Sequence, residues 1–554
     1  MIKKYTDKKK DGTTFTPVPL ADFLARKLLT YIRPADNPIM INDPACGDGA
    51  LLMALAGKLS EAGIHFNISG SDKNPSFTDQ TIKQLANRFA DSVIDIKCKD
   101  FIAERLGGLF SFEKVNDVII ANPPYVRTQV LGAEYAKKIA DSFGLTGRID
   151  LYYPFLINMT ESLKPGGLLG VITSNRFLTT KSGADIRAYL LRNYEILEII
   201  DLGDTKPFDT AVLPAVFIGR KKPCDDESKS HKFISIYESR YSDKSGLMHT
   251  GVDVYDVINQ ETDGLFRIGS HEYVVRTGTL DRSGNAGSVW SIKSEESSSL
   301  ITRIESKMSN RISDFFKVRV GIKSCADDVF LSDDFTEHRP EDVWFRDMIS
   351  QENIDGGDIK GPLPRVIYPY YENNGEKAVL DIDVYPEAKA FFTQHEERLK
   401  RRSYLIKSKK KWYEYWVPQN PVLWKYPKLV WADISSEPRF AIDYTGALVN
   451  GNCYWICGTS SEDLDMLYLI LGIANSKLMA EYHDMKFNNK LYSGKRRYLS
   501  QYVEQYPLPD IKSDEAKRIL HLTKEFVKCR ISTERNIYKS RIEAAVKAAF
   551  GITD

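Results

Sequence analysis

The residues with the clearest capacity for chemistry are Asn122-Pro123-Pro124-Tyr125, which directly follow the apolar run 118–121. Such a run is typical of a buried strand, and the two prolines fix the backbone where that strand ends. The Asn122 side-chain oxygen and the Pro123 carbonyl can both accept from an exocyclic NH2 group, and the Tyr125 ring can stack on a flat ring. The segment therefore predicts a site for a planar, amino-bearing ring. The alternative is a proline-rich turn that closes a core strand, with Tyr125 merely packed.

An earlier strand-to-helix loop, residues 43 to 49, has the composition of a ligand-binding turn. Gly47 and Gly49 allow the backbone to approach a ligand closely, and Asp43 can meet a cationic amino group. The loop matches neither phosphate-binding motif, because no Lys and Ser/Thr follow a second glycine and its G-x-G lacks a third glycine. On its own, such a turn is common in α/β proteins.

Two further strand ends between this loop and Asn122 carry acidic residues. Asp72 ends the second predicted strand, about 25 residues past the glycine loop, where a carboxylate suits the two hydroxyls of a ribose. Asp100 follows the third predicted strand, where it can accept from an adenine amino group while Phe101 lies near the ring. An Asp at a strand end is usually a turn former, but ligand groups at four successive strand ends indicate a site.

The elements that must position these residues are alternating strands and helices, which continue to about residue 220. Such alternation predicts an α/β fold with a doubly wound, mostly parallel sheet, which binds ligands at the carboxyl ends of its strands. Thr16 is predicted to cap the first helix, with Pro17 at its first position. The segment Lys206 to Ile218 is predicted to be a loop followed by an edge hairpin strand.

A polar, turn-rich stretch at 221–230 predicts a domain boundary. We expect one domain at 1–225, which carries the strand-end site, and a second, mixed α+β domain at 226–554. Basic residues are concentrated among aromatic ones in two stretches of this second half, a pattern typical of surfaces that contact phosphates and DNA grooves. The predicted DNA-binding residues are Arg401, Arg402, Lys409, Lys410, Lys411, Lys495, Arg496 and Arg497. The alternative is a solvated helix face followed by core aromatics.

The composition is that of an ordinary globular chain of 554 residues, with 42% hydrophobic residues, 27% charged residues and a formal net charge of +1. Any nucleic-acid binding must therefore come from local charge asymmetry rather than bulk basicity. No signal peptide and no apolar run long enough for a bilayer are visible, so we expect a cytoplasmic protein without membrane contact. The seven cysteines are scattered, which predicts reduced thiols and no metal site.

In this order, the segments resemble those of the gamma class of S-adenosylmethionine-dependent adenine-N6 DNA methyltransferases from restriction-modification systems. The likeness covers residues 14 to 220 and rests on Thr16-Pro17, Asp43 to Gly49, Asp72, Asp100-Phe101, Asn122 to Tyr125 and Phe208. The second half is more loosely similar to TaqI-type C-terminal specificity domains, on Val320-Gly321-Ile322, Pro427 to Trp431, Leu467 to Lys477 and Tyr506 to Pro509. The resemblance implies that 1–225 is a catalytic domain with a Rossmann-like methyltransferase fold and that 226–554 is a target-recognition domain with a helical C-terminal tail. It implies S-adenosylmethionine as cofactor and double-stranded DNA as partner.

The resemblance also implies a role for each matching residue. Cofactor-binding roles are implied for Thr16, Asp43, Ala45, Gly47, Asp72, Asp100, Phe101 and Pro124. Within this set, the first four would hold the methionine part, the next two the ribose and the adenine amino group, and the last two would border the adenine ring. Asn122 and the Pro123 carbonyl would grip the amino group of the target adenine. Tyr125 and Phe208 would stack on that base once it has left the duplex, and Phe177 is the alternative to Phe208.

The expected function is site-specific methylation of adenine N6 in double-stranded DNA by the modification enzyme of a restriction-modification system. A separate restriction endonuclease acting on the same site is the further partner that this implies. Because only fifteen residues precede Thr16, no fused nuclease domain is expected. Two alternatives stay open: methylation of RNA or of a protein glutamine amide, and a DNA-binding specificity subunit without catalysis.

Overall fold

The computed structural model describes residues 14–33, 36–106, 113–126, 132–147, 149–208, 212–223, 231–238, 248–281, 285–293, 295–331, 335, 337–487, 491 and 494–552. The chain divides into two compact units. The first comprises Met1–Ser297 with Phe487–Gly494, and the second comprises Ser298–Lys486 with Lys495–Asp554.

One large sheet forms the centre of the first unit. Its strands are β1 (Ile39–Asp43), β2 (Phe66–Asp72), β3 (Ile94–Cys98), β4 (Asn116–Ala121), β5 (Leu163–Ser174), β6 (Tyr194–Asp201), β7 (Pro214–Lys221), β8 (Lys232–Glu238), β9 (Met248–Thr250), β10 (Gly264–Ile268), β11 (His271–Leu280) and β12 (Ile292–Lys293). They lie in the order β3-β2-β1-β4-β5-β7-β6-β8-β11-β10-β9, and β12 pairs with β11. Neighbours from β3 to β5 run parallel, whereas β7 runs antiparallel to both β5 and β6.

Helices cover both faces of this sheet. They are α1 (Val18–Leu29), α2 (Ala50–Glu61), α3 (Pro75–Arg88), α4 (Ala103–Leu106), α5 (Ala133–Phe143), α6 (Tyr152–Ser162), α7 (Arg176–Thr179), α8 (Ala184–Asn193) and α9 (Val254–Asn259), and α10 (Glu295–Ser306) follows. Residues of α1, α2, α3 and α9 pack in one core, and residues of α5 to α8 pack in the other. On β4, Val118 and Ile120 face the first core while Ile119 and Ala121 face the second, because successive strand side chains point to opposite faces. The predicted doubly wound α/β fold is confirmed.

The start of α1 differs from the prediction. The helix begins at Val18, Pro17 occupies the N-cap position, and no side chain caps the first turn. The helix is held instead by its apolar face, where Leu20, Phe23 and Leu24 are fully buried. Thr16 therefore does not cap the helix, and its hydroxyl has a different partner, which belongs to the candidate site.

The sheet extends further along the chain than the sequence indicated. The prediction of an edge hairpin strand in the segment 206–218 was wrong, because β7 lies between β5 and β6. Beyond the polar stretch 221–230, β8 pairs in parallel with β6, from Glu198 opposite Lys232 to Asp201 opposite Ser235. The first compact unit thus reaches Ser297 rather than the boundary predicted after residue 225, because strands on both sides of the polar stretch hydrogen-bond into one sheet.

The second unit combines short strands with helices. Its strands are β13 (Asn310–Arg311), β14 (Arg319–Val320), β15 (Phe345–Ile349), β16 (Ile354–Asp355), β17 (Asp358–Ile359), β18 (Arg365–Ile367), β19 (Tyr370–Asn373), β20 (Glu376–Val379), β21 (Lys428–Ala432), β22 (Ile434–Ser435), β23 (Phe440–Asp443), β24 (Leu448–Val449), β25 (Cys453–Cys457), β26 (Arg496–Arg497) and β27 (Pro507–Leu508). Its helices are α11 (Ile312–Phe315), α12 (Asp327–Phe330), α13 (Pro386–Gln394), α14 (Glu396–Lys400), α15 (Ser403–Lys407), α16 (Ser461–Ala474), α17 (Lys477–Phe487), α18 (Ser500–Val503), α19 (Asp514–Lys528) and α20 (Ser532–Ala549). The predicted mixed α+β character of the further domain is confirmed.

Most of the crowded aromatic residues form the core of this second unit. Trp344, Trp424, Trp431 and Trp455 are all buried. They pack around an antiparallel sheet in the order β14-β25-β21-β23 and a smaller sheet in the order β18-β15-β24. Tyr413 and Tyr415, which follow the first basic stretch, lie in the same core, so for them the alternative of core aromatics is correct. None of the helices in the described parts of the chain combines the length and apolar character needed to cross a bilayer.

Candidate active site

A cavity of about 230 Å³ lies at the carboxyl edge of the sheet in the first unit. The segments that follow β1, β2, β3 and β4 all contribute to it, because parallel strands present their carboxyl ends at one edge. The predicted site residues that line it are Thr16, Asp43, Ala45, Gly47, Asp72, Asp100, Phe101, Asn122, Pro123 and Pro124. The structure thus brings together every predicted cofactor-binding residue and the two predicted acceptors for the target amino group.

Asp43 ends β1 and is only 1% exposed. Its Oδ1 accepts a hydrogen bond from the Ala45 backbone N–H at 3.0 Å. Burial, together with the smaller effect of the nearby carboxylates of Asp72 and Asp48, raises the pKa of the Asp43 carboxyl to about 8. A cationic partner offsets the cost of ionising a buried carboxyl, so Asp43 is suited to an ammonium group.

The loop after Asp43 has the tight geometry that its glycines predict. Gly47 and Gly49 adopt φ values of +50° and +83°, which residues with a side chain rarely adopt. At Gly49, a Cβ would come within 2.9 Å of the Thr81 side chain. The Gly47 N–H donates to Asp72 Oδ2 at 3.0 Å, which ties the loop to the end of β2.

Main-chain donors hold the acids that follow β2 and β3. Besides the bond from Gly47, Asp72 accepts one from the Asn74 N–H at 2.9 Å. Asp100 Oδ1 accepts from the N–H groups of Ile102 and Ala103 at 2.9 and 3.1 Å. Both carboxylates are therefore fixed at the cavity by their own loops, and their remaining lone pairs can accept from ligand hydroxyl or amino groups.

Asn122 follows β4, and its hydrogen bonds define the orientation of its amide. Nδ2 donates to the Thr16 hydroxyl at 3.0 Å and to the Thr14 carbonyl at 3.4 Å. A carbonyl can only accept, so the NH2 end of the amide faces the segment 14–16 and Oδ1 faces away from it. Oδ1 accepts from the Tyr125 hydroxyl at 2.5 Å. The amide oxygen is thus directed to the side where the predicted stacking residue lies.

Tyr125 and Phe208 are in contact, although neither is among the residues that line the cavity. Their ring centroids are 6.1 Å apart and their planes are inclined at 61°, which is an edge-to-face contact. Phe177, the alternative to Phe208, instead packs on Trp290 with centroids 5.7 Å apart. The structure therefore favours Phe208 as the partner of Tyr125.

Several residues of the cavity were missed in the sequence. They are Phe15, Lys73, Lys99, Tyr135 and Phe155. Phe15 packs edge-to-face on Phe77 with centroids 5.2 Å apart, and its position next to Thr16 was the one available signal. Tyr135 and Phe155 lie on α5 and α6, where an aromatic residue at helical spacing gives no sign of a ligand.

The predicted DNA-binding residues of the second unit differ in their exposure and in their hydrogen-bond partners. The exposed ones are Arg401, Lys409, Lys411 and Lys495. Arg402 is only 3% exposed, and its guanidinium donates to the main-chain carbonyls of Ser324, Leu399, Trp412 and Glu414. Its prediction as a DNA-binding residue was wrong, because a buried guanidinium committed to carbonyls within the unit has no donor directed to a phosphate.

Three more of these basic groups have structural contacts of their own. Lys410 Nζ donates to the carbonyls of Tyr415 and Trp416 at 2.8 and 2.9 Å. Arg496 forms a two-pronged ion pair with Asp484 at 2.5 and 2.7 Å. Arg497 pairs in the same way with Asp433. Because these partners already satisfy the three cations, the exposed residues are the stronger candidates for phosphate contacts.

Known proteins match this chain over almost its whole length. Residues 51–208 match the Eco57I restriction-modification methylase family, and residues 383–508 match the TaqI-like C-terminal specificity domain. The chain is 37% identical to the Type II methyltransferase M.BanIII of Aneurinibacillus aneurinilyticus, over 98% of this chain and 97% of the relative. It is 26% identical to the Type II methyltransferase M.BstVI of Geobacillus stearothermophilus, over 73% of this chain and 70% of the relative. The solved structure of the Type IIL restriction-modification enzyme MmeI in complex with DNA shares the fold, with a TM-score of 0.60 and 14% identity over 96% of this chain and 73% of that chain.

The residues of the cavity fit S-adenosylmethionine, the cofactor of this family. The buried Asp43 carboxyl suits the ammonium of the methionine part, and the acids at the following strand ends suit the ribose hydroxyls and the adenine amino group. When bound, the cofactor supplies a methyl group carried on a positively charged sulfur. The chain belongs to the Type II methyltransferases of restriction-modification systems, with an Eco57I-type methylase region followed by a TaqI-like specificity domain.

Proposed function

We propose that this methyltransferase modifies the N6 amino group of adenine in double-stranded DNA. The observation that carries the proposal is the orientation of Asn122, whose NH2 end is bound by the segment 14–16 and whose Oδ1 is directed toward Tyr125. An amide oxygen beside an aromatic ring suits an amino group on a flat base. The carbonyl of Pro123, which also lines the cavity, is the second acceptor.

The two acceptors act on the reacting nitrogen. The lone pair of an adenine amino group is delocalised into the ring, and hydrogen bonds from its two N–H groups to Asn122 Oδ1 and the Pro123 carbonyl favour a pyramidal nitrogen with a localised lone pair. When bound, S-adenosylmethionine would supply the methyl group that this lone pair accepts, and its sulfur would keep the electron pair of the broken C–S bond. The resulting ammonium is strongly acidic and loses a proton to solvent, so positioning and electrostatics suffice without a strong base. Burial raises the pKa of Tyr125, which keeps its phenol neutral and unsuited to act as that base.

The cofactor roles follow from the contacts of each residue. We assign Asp43 to the ammonium of the methionine part, Asp72 to the ribose hydroxyls and Asp100 to the adenine amino group. The remaining proposed contacts are those of Thr16, Ala45 and Gly47 with the methionine part and of Phe101 and Pro124 with the adenine ring. Four aspartates and two lysines line the cavity, and this excess of acids suits a ligand that carries both an ammonium and a sulfonium.

The target base must leave the duplex before it reaches Asn122, at a cost of a few kcal/mol. A base stacked between two parallel rings requires a ring separation of about 7 Å, twice the usual contact distance between carbon atoms. The centroids of Tyr125 and Phe208 are only 6.1 Å apart, and their planes are far from parallel. At least one of the two rings must therefore reorient as the base enters, and their stacking on it offsets part of the cost of base flipping.

Exposed basic residues of the second unit are proposed to contact DNA phosphates. Arg401, Lys409 and Lys411 belong to the same stretch as Tyr404 and Trp416, which are 39% and 43% exposed. The two rings contact each other edge-to-face with centroids 5.1 Å apart. Exposed rings among basic residues suit a surface that follows the DNA backbone and reaches into a groove. Lys495 is the corresponding exposed residue of the second basic stretch.

A separate restriction endonuclease is the proposed functional counterpart of this enzyme. Methylation of a recognition site protects it from cleavage, so the two activities must read the same sequence. Support comes from the relatives, whose names place them among the Type II methyltransferases.

Transfer of a tritiated methyl group to plasmid DNA, RNA and protein in parallel tests the proposal. We expect label in DNA alone, and nucleoside analysis should identify the product as N6-methyladenine. Label in RNA or protein alone, or on another base, would overturn the proposed acceptor. Sequencing of the modified positions then gives the recognition site.

A further inference from the structure

The orientation of Asn122 depends on a residue outside the Asn-Pro-Pro-Tyr segment. We propose that Thr16 is a positioning residue for methyl transfer, whose hydroxyl holds the Asn122 amide with its oxygen toward the acceptor base. This inference rests on the proposed function, because it takes Asn122 Oδ1 as the acceptor for the amino group that is methylated.

The Thr16 hydroxyl is committed to Asn122 rather than to its own helix. It accepts from Asn122 Nδ2 at 3.0 Å across 106 residues of sequence. Thr16 is 8% exposed, so solvent competes little for this bond. A Thr directly before Pro17 and an apolar helix would ordinarily cap that helix, yet α1 has no side-chain cap.

Two groups of the segment 14–16 hold the Asn122 amide, and each has a different role. The Thr14 carbonyl selects the orientation, because it repels the amide oxygen and accepts only from NH2. At 3.4 Å that bond is long, and the Thr16 hydroxyl supplies the closer one that resists rotation of the amide. The Tyr125 hydroxyl can donate or accept, so it does not distinguish the two orientations. Without Thr16, only the long bond to Thr14 opposes rotation of the amide, so its oxygen is held less firmly toward the base.

The same segment lines the cofactor cavity. Thr14, Phe15 and Thr16 all contribute to its wall, and a Cβ at Gly47 would lie 3.6 Å from the Phe15 ring. A hydroxyl that accepts from Asn122 keeps its own hydrogen, which it can donate to a carboxylate in the cavity. Thr16 therefore connects the cofactor cavity to the amide that grips the base.

The test compares Thr16→Val, which removes the hydroxyl, with Thr16→Ser, which keeps it. Cofactor affinity is measured by calorimetry, and the rate of DNA methylation is measured in single turnovers at saturating cofactor and DNA. We expect Thr16→Val to lower that rate about 10- to 100-fold and Thr16→Ser to restore it to within about threefold. The control is Thr30→Val, the same replacement at the exposed far end of α1, which should leave the rate unchanged. If Thr16→Val unfolds, Thr16→Ala removes the same hydroxyl without a branched side chain.

Three outcomes would overturn the inference. The first is a Thr16→Val enzyme that binds cofactor weakly but reaches the wild-type rate at saturation, because Thr16 would then only bind cofactor. The second is a Thr16→Ser enzyme as slow as Thr16→Val. The third is an undiminished effect of Thr16→Val in an Asn122→Ala background, where we expect less than about a twofold further loss.

The failure of the proposed function is visible separately. Methylation of a base other than adenine by the wild-type enzyme would overturn the proposed acceptor, yet the variants would still be compared on the amino group that is methylated. Failure of the wild-type enzyme to methylate any DNA would overturn both the proposed function and the role of Thr16.

Discussion

The candidate site has a cofactor side and an acceptor side at one edge of the sheet. The two sides differ in how many of their ligand-binding groups are already in place. On the cofactor side, main-chain N–H groups already hold Asp72 and Asp100, and Asp43 is buried at the end of β1. On the acceptor side, Tyr125 and Phe208 contact each other where a base should enter. The cofactor side is built in advance, whereas the acceptor side must rearrange around its substrate.

The difference follows from how the two ligands arrive. A small cofactor diffuses freely and gains affinity from donors and acceptors that are already in place. A base arrives attached to a duplex and enters only after it has been flipped out. Aromatic rings that pack on each other in the empty protein keep apolar surface from water until the base replaces that contact. Variants on each side should therefore affect different steps.

The largest effect is expected on the acceptor side, from Asn122→Ala. Loss of the amide oxygen should lower the single-turnover methylation rate by about 100- to 1000-fold, the usual cost of removing one preorganised group that acts on a transition state. Cofactor affinity by calorimetry should change little, because Asp43, Asp72 and Asp100 remain in place. A variant that methylates DNA at the wild-type rate would show that the two sides are assigned wrongly.

On the cofactor side, Asp43→Asn should weaken cofactor binding and leave the methylation rate nearly unchanged, the opposite of Asn122→Ala. Removal of the charge that meets the ammonium should weaken cofactor binding by about 10- to 100-fold, since hydrogen bonds to charged groups contribute about 1.5–3 kcal/mol. The methylation rate at saturating cofactor should stay close to that of the wild type. Cofactor titrations of binding and of rate separate these two effects, and a variant with normal affinity would contradict the role of Asp43.

Phe208→Ala should have a smaller effect, on base entry. Stacking of a base on an aromatic ring is worth about 1–3 kcal/mol, so we expect about a fivefold or greater loss in methylation rate with cofactor binding unchanged. Fluorescence of 2-aminopurine at the target position reports how fully the base leaves the duplex. Phe208→Tyr keeps the ring and serves as the matched control. Equal losses in both variants would argue against stacking as the role of this residue.

The smallest effect, taken per pH unit, is expected in the pH dependence of the stability of the cofactor-free protein. The pKa of Asp43 is about 8 in the folded protein, above the value of about 3.9 for an unfolded chain. Between these pH values the folded state binds the extra proton, so the contribution of Asp43 to stability is fully present below about pH 4 and is lost as pH rises toward 8. Asp43→Asn should therefore lose less stability over this range, by about 1 kcal/mol per pH unit. Urea unfolding at a series of pH values measures both slopes, and equal slopes would contradict the raised pKa.

The ends of the strands could be predicted from the sequence because the patterns that indicate them are local. A buried parallel strand is a short apolar run, and the residue after it lies at the ligand-binding edge whatever the rest of the chain does. This reasoning predicts a site formed by Asp43, Asp72, Asp100 and Asn122, and all four residues line the cavity. The sequence did not predict Phe155 and Tyr135 as lining residues, because an aromatic residue on a helix has the same local pattern whether it faces a core or a cavity.

Contacts between residues far apart in the chain could not be predicted from the sequence. The residues before Pro17 have the pattern of a helix cap, but Thr16 binds an amide 106 residues away. The polar stretch 221–230 has the composition of a linker, but strands on both sides of it join the same sheet. Local composition describes a residue's own preferences and carries no information about which distant group meets it.

Arg401 and Arg402 show most directly where the sequence stops being informative. The sequence by itself determined that a basic stretch, a glycine loop, strand-end acids and Asn-Pro-Pro-Tyr occur in this order, and with them the class of chemistry. Only the tertiary structure decided that Arg401 is exposed while Arg402, the next residue and the same amino acid, donates to carbonyls inside the unit. The physical reason is that burial and hydrogen-bond partners depend on the direction in which the folded backbone points each side chain, and two adjacent identical residues can point in opposite directions.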